Sequence, residues 1–336
     1  MKDRKPLVSI IMPVYKTGLY VKETIESVIN QTYKNLELIC INDETPDDAF
    51  EICRDYQQKY KWIRLIENQK NSGLEFTRNR GLEVMKGDFV MFLDSDDTIS
   101  KDMVEKMIAL ALEYDSELVM SGYSMVIDNR EEPVVLDKNL NIPKIMDMDV
   151  FSELLLEPIE WKMLSCVGTK IYKTSLIKQN NLYFDNRFKY NEDGGFILSY
   201  LKLCTSVSYI NEPFYKYTIR NSGSIMSSYR PNMFDSIIKV NELLRDVLVS
   251  NHVFENKSEL FYRKMMFIVI DSLRNEVSFG CRRSFFSTFK TIINYEDCNN
   301  MINVLLSSKC ISIKYKILLI LIRYRLSLIL YIFFKL

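Results

Sequence analysis

Three carboxylates stand within four positions in Asp94-Ser95-Asp96-Asp97, directly behind the apolar run Phe89–Leu93. Five consecutive apolar residues read as a fully buried strand, yet burying unpaired, mutually repelling carboxylates is costly. An Asp-x-Asp at a strand end suits a hard divalent cation. Its carboxylates supply oxygen ligands, and open positions remain for the phosphates of a substrate. The competing reading is helix capping by Ser100 or Asp97 ahead of a helix starting near Lys101, which accounts for one acid rather than three. Another acid, Asp43, follows the apolar run Leu36–Ile41. It could accept hydrogen bonds from a base or ribose, or form an Asx turn before Pro46.

These residues need elements to position them. Over the first hundred residues short β-rich runs alternate with helical patterns. Strands are predicted at Leu7–Met12, Leu36–Ile41, Ile63–Glu67 and Phe89–Leu93. Between them, helical spacing spans Tyr20–Gln31, the stretch through Ile52, Cys53 and Tyr56, and Leu74–Met85. A βαβαβαβ series implies a mostly parallel sheet with helices on both faces. Such sheets bind ligands at the carboxyl ends of their strands. With the order 3-2-1-4, the loops at Pro13-Val14-Tyr15, Asn42-Asp43 and Asp94–Asp97 meet at one edge, which places the acids at a ligand crevice. A helix and the strand Leu118–Ile127 continue the sheet. The stretch Asn129–Pro143 reads as a loop, residues 147–225 as mixed structure, and the chain from Pro231 onward as helical.

An acid after the second strand also occurs in dinucleotide-binding dehydrogenases. The loop after the first strand decides against that reading. It runs Pro13-Val14-Tyr15-Lys16-Thr17-Gly18 and lacks the Gly-x-Gly-x-x-Gly turn that lets backbone approach a pyrophosphate.

The segments "VSIIMPVYKTGLYVKETIESVINQTYKNLELICIND" and "NSGLEFTRNRGLEVMKGDFVMFLDSDD" together resemble glycosyltransferase family 2, inverting enzymes with the GT-A fold. The likeness covers residues 6–104. Weaker echoes, "GTKIYKTSL", an Asn-Glu-Asp and a segment ending "NSGSI", extend it to about residue 226 and suggest the bacterial surface-polysaccharide branch. The resemblance implies a GT-A domain over residues 1–226, with a nucleotide-binding half (1–100) and an acceptor half (101–226). Residues 227–336 form a helical extension. It implies that Tyr15, with the backbone of Pro13 and Val14, packs on the base and that Asp43 binds a uracil edge. Asp96, with Asp94, would hold Mn²⁺ or Mg²⁺, while Asp94 and Ser95 lie near the ribose and diphosphate. Arg78 and Asn79 would line the same crevice. Asp193 would be the general base, with Glu192 the alternative. The residues "NEDGGF" read equally well as a helix N-terminus. Relatives usually carry Asp-Asp-Gly-Ser after the second strand. Here Asn42-Asp43-Glu44-Thr45 must make that turn without the glycine.

Bulk features narrow the alternatives. The chain has 336 residues, 47% of them apolar, enough for a sizeable core and for two domains or one domain with an extension. Lysine plus arginine equals aspartate plus glutamate at 44 each, so no global charge points to nucleic acid. Seven scattered cysteines fit a reduced, cytoplasmic interior. The only histidine, His252, leaves no room for a histidine metal centre. Met1 to Pro6 leads into the first strand without a cleavage site, so no signal peptide is expected. The stretch "IKYKILLILIRYRLSLILYIFFKL" is interrupted by Arg323 and Arg325 and is too short on either side to span a bilayer. It reads as a basic surface helix in peripheral contact with the inner face of the membrane, or as a buried or oligomer-forming helix. Treated as one helix it has no clean polar face.

The leading expectation is therefore a metal-dependent, inverting transferase. It would move a sugar from a nucleotide sugar, with UDP favoured, to a glycan or lipid-linked acceptor. A catalytically silent GT-A-fold binding or scaffold protein is the second reading, against which the intact acidic clusters argue. A sugar nucleotidyltransferase is third, and would want a glycine-rich basic loop after the first strand.

Overall fold

The computed structural model describes residues 5–127, 130–136, 145–156, 166–219 and 229–335. They fall into two compact units, one drawn from Met1–Asn186 and Glu192–Arg220, the other from Arg187–Asn191 and Asn221–Leu336.

The first unit is built on one sheet. Its leading half comprises β1 (Val8–Val14), α1 (Val21–Ile29), β2 (Leu36–Asn42), α2 (Ala49–Lys59), β3 (Ile63–Glu67), α3 (Leu74–Val84) and β4 (Phe89–Phe92). The short β5 (Thr98–Ile99), α4 (Met103–Tyr114) and the long β6 (Leu118–Ile127) follow. Then come β7 (Arg130–Val134), β8 (Ile145–Asp147), α5 (Met148–Leu154), β9 (Lys170–Lys173), α6 (Thr174–Gln179), α7 (Glu192–Leu201) and β10 (Ser206–Thr218). The strand order is β3-β2-β1-β4-β9-β6-β10-β5, with β7 on β6 and β8 on β10. The β3-β2-β1-β4 block is parallel, as the alternating pattern requires. β9 runs antiparallel to both β4 and β6, so the sheet is mixed beyond β4.

β1 is buried at every position and β2 at all but its last, so their sequences are continuously apolar rather than alternating. The exceptions pair internally: Ser9 donates to Glu37 at 2.6 Å, and Arg64 reaches the other oxygen of that carboxylate at 2.9 Å.

Two local expectations change. Part of the stretch read as a loop is strand β7, a hairpin partner of β6. Its Arg-Glu-Glu-Pro composition marks a polar, solvent-facing edge, which hides it from an apolar pattern search. The helix expected near Lys101 starts at Met103, and neither Ser100 nor Asp97 caps it. The "NSGSI" segment lies outside the described residues.

The second unit is helical: α8 (Met233–Ser250), α9 (Phe254–Ser278), α10 (Arg282–Asn294), α11 (Cys298–Ser307), α12 (Ile313–Arg323) and α13 (Ser327–Lys335). The 25-residue α9 is its spine and buries Phe261, Met265, Met266, Val269 and Leu273. The basic apolar stretch near the end is two helices, not one. It breaks at Tyr324–Leu326, where Arg325 takes φ 58°.

Candidate functional site

β1, β2 and β4 are parallel neighbours, so the loops behind them emerge at one edge of the sheet. Arg78, on α3, connects that edge. Its guanidinium is 1% exposed, donates to Asp94 behind β4 at 2.9 Å, and reaches Asp193 on the first turn of α7 at 2.5 Å. It also lies over the ring of Phe184 at 5.2 Å. Burial would lower the Arg78 pKa, but the carboxylates of Asp193, Asp94 and Glu192 outweigh it and hold the guanidinium charged.

An aromatic cluster holds α7 under β4. The rings of Phe184 and Phe196 stack at 4.3 Å, and Phe92 meets both edge-on at 5.1 and 5.6 Å. Asn79, expected in the crevice, instead clamps the Phe184 backbone: its amide donates to the carbonyl at 2.8 Å and its oxygen accepts the N–H at 2.7 Å. Asn79 therefore sets the distance between α3 and the cluster that supports α7.

The acids after β4 divide by environment. Asp94 is 41% exposed. Asp97 is 1% exposed, accepts from the Tyr215 hydroxyl at 2.7 Å and from the Thr218 N–H at 3.0 Å. Burial, then repulsion from Asp94 and Asp96, pushes its carboxyl well above the usual range. One acid of the three thus belongs to the interior. Ser95 also faces inward, hydroxyl to hydroxyl with Thr17 at 2.9 Å, and its carbonyl accepts from Thr24 at 3.0 Å.

At the second loop, Asp43 is buried. Its oxygens take the N–H groups of Ser72 and Gly73 at 2.8 and 3.0 Å and the amide of Asn68 at 2.9 Å. The turn before Pro46 is held not by an Asx turn at Asp43, the alternative reading of that residue, but by Asn42, whose side-chain oxygen accepts the N–H of Thr45, three residues on, at 2.8 Å. Glu44 occupies the position of the missing glycine and takes φ 58°, a left-handed conformation that costs an L-residue about 1–2 kcal/mol. Its carboxylate accepts the Asn71 N–H at 2.8 Å, which offsets part of that cost. Tyr15, just past β1, is 40% exposed with the Lys16 ammonium 4.9 Å from its ring centroid, while Pro13 and Val14 are buried.

Glu192 and Asp193 open α7, so the helix-start reading and the acid reading coexist. Burial raises both carboxyls. Glu192, further raised by Asp193 beside it, is pushed up to about 7. For Asp193, Arg78 opposes the rise. Its side chain keeps 22% exposure, so a hydroxyl can approach it.

Two neighbours carried no sequence signal. Lys170, fully buried on β9, donates to the Cys166 carbonyl at 2.7 Å and the Thr169 hydroxyl at 3.1 Å, and burial lowers its pKa to about 8. Tyr215 lies in the aromatic-basic run of β10, where nothing marks it as the partner of Asp97.

Among the described residues no group of three or more His, Cys, Asp or Glu is arranged to hold a metal. The donor set still fits a hard divalent cation. Asp94 and Asp96 offer carboxylate oxygens behind the end of β4, and a site with fewer than three protein ligands leaves room for diphosphate oxygens.

A family profile described as Glycosyl transferase family 2 matches residues 9–174. The putative glycosyltransferase EpsH of Bacillus subtilis is 31% identical over 296 residues, covering 83% of this chain and 80% of that protein. The minor teichoic acid biosynthesis protein GgaB of the same organism is 30% identical over 77% of this chain but only 28% of its own length. Among solved structures, S. aureus TarS 1–349 in complex with UDP-GlcNAc superposes with TM-score 0.62 at 22% identity, over 89% of this chain and 79% of that one. That likeness is one of fold.

Proposed function

The chain belongs to glycosyltransferase family 2 and is a glycosyltransferase, and from that premise we propose a metal-dependent, inverting transfer from a UDP-sugar to a hydroxyl of a surface polymer or its lipid-linked precursor. The observation that carries the reading is the Arg78 bridge between Asp94 and Asp193. It sets a donor-side acid and an acceptor-side acid a single guanidinium apart. The names of GgaB and of the TarS complex support the polymer class and the UDP-sugar.

In this reading Tyr15 packs on the base, and Asp43 fixes the loop that receives it. Because the carboxylate of Asp43 already takes three donors, its contact with a uracil would share an oxygen that also holds the start of α3. A divalent cation on Asp94 and Asp96 would supply Lewis-acid charge for the leaving diphosphate. Asp193 accepts the proton of the acceptor hydroxyl. The oxygen then attacks the anomeric carbon from the face opposite the diphosphate, and the electrons of the broken C–O bond leave with that group. Ser95 and Asn79 act by positioning.

The test is Asp193→Asn beside Glu192→Gln, with turnover and UDP affinity measured for each. Asp193→Asn should lower turnover by roughly 10²-fold or more with UDP affinity nearly unchanged, and Glu192→Gln should be milder. A dead Glu192→Gln with an active Asp193→Asn would swap the two roles. Full transfer by both would remove the base from this segment.

A further inference from the structure

α12 and α13 each turn one side inward and leave the other bare. Leu318, Leu319, Ile322 and Leu330 are buried within the helical unit. On the outer side of α12, Ile313, Ile317, Ile320 and Tyr324 follow one another at helical spacings of four, three and four, and are 78, 49, 40 and 68% exposed. A second stripe on α13, Leu328, Ile329, Ile332 and Phe333, is 39–50% exposed. The Lys314 ammonium lies 5.9 Å from the Phe333 ring centroid, so the two stripes adjoin. Because the chain breaks at Arg325, each helix presents its own stripe, and the missing polar face of a single long helix is no objection.

The charge of this region has one sign. From Cys298 to Leu336 there are six lysines and arginines and no aspartate or glutamate, in a chain whose total charge is balanced. Lys314, Arg323, Arg325 and Lys335 are exposed at the ends and flanks of the stripes. Neither helix is long and apolar enough to cross a bilayer. Exposed apolar side chains flanked by cations on helices lying along the surface match the requirements of a headgroup interface. There the apolar groups enter the acyl boundary and the cations meet lipid phosphates.

We propose that the outer face of α12 and α13 is a docking surface for an anionic lipid bilayer. The occupant is set by charge complementarity: a neutral apolar partner would leave the cations unused, and a second copy would bring the cations of α12 and α13, which carry no acid of their own, against one another. Docking here holds the helical unit on the membrane without a spanning segment.

The test is co-sedimentation of the full chain with vesicles of phosphatidylcholine alone and of phosphatidylcholine with 30% phosphatidylglycerol, in low and high salt. Partitioning should be at least tenfold stronger onto the anionic vesicles and fall at high salt. The triple change Lys314→Gln, Arg323→Gln and Arg325→Gln should weaken it on the order of 100-fold, at about fivefold per cation. Leu328→Ser with Ile332→Ser should abolish it while circular dichroism and thermal melting stay near the parent. Equal binding to neutral vesicles, or no binding to either, overturns the proposal. So does a concentration-dependent dimer that the serine variant dissolves, which would make this face a self-interface.

Discussion

A buried arginine is tolerated only when its charge is matched, and Arg78 is matched twice. Lysine at this place would offer a point charge, whereas the fork of the guanidinium can hold two carboxylates in fixed directions. Removing Arg78 itself would leave its two carboxylates without their cation, and breaking a buried pair in this way costs about 3–5 kcal/mol. Glu192 is the third acid beside this guanidinium. Its carboxyl is raised from 4.5 to about 7 by burial and by Asp193. The folded state therefore holds that proton at pH values where the unfolded chain has lost it. Stability from this group is complete below about 4.5 and is lost as pH rises toward 7. Glu192→Gln should accordingly raise the melting temperature at pH 8, by the equivalent of about 3 kcal/mol at most, and change little at pH 4.5. A melting difference that does not vary with pH would refute the assignment of that strain to Glu192.

The elements are placed by contacts that leave different traces in sequence. Alternation of apolar runs and helical spacing made β1 to β4, their order and the crevice edge legible, and β3 and β6 match residue for residue. Strand β7 was not legible, because a polar edge strand carries no apolar pattern. The site was legible where an acid follows a strand, and obscure where function depends on long-range partners. Nothing in the "TRN" segment states that Arg78 is buried or that Asn79 faces Phe184, since both facts depend on residues over 100 positions away. Gly81 is another such case. A Cβ there would stand 2.4 Å from Cγ2 of Ile11, so its absence lets α3 lie against β1 and brings Arg78, one turn earlier, to the strand ends. Gly81→Ala should destabilise the sheet unit by about 1–3 kcal/mol through overpacking and lower turnover, despite alanine's better helix propensity. Combined with Ile11→Ala, which removes the clashing atoms, the loss should be smaller than the sum of the two singles. Additive denaturation energies would place the clash elsewhere.

Across the whole molecule, the groups assigned to the donor all lie in the sheet unit, while α12 and α13 belong to the helical unit. Removing residues 312–336 is then a test of where stability resides, and a poor test of membrane docking. The cut discards Leu318, Leu319, Ile322 and Leu330, all buried. At about 1.5–3 kcal/mol for each fully buried side chain, the loss is roughly 6 kcal/mol or more, comparable to the entire stability of many domains. The truncated chain should therefore lose its helical-unit transition in differential scanning calorimetry. The sheet unit keeps Asp43, Arg78, Asp94 and Asp193, so UDP with Mn²⁺ should still raise its transition. At 100 times the dissociation constant that gain is about 2.7 kcal/mol. Loss of the nucleotide response along with the helical transition would mean that the two units fold as one cooperative block.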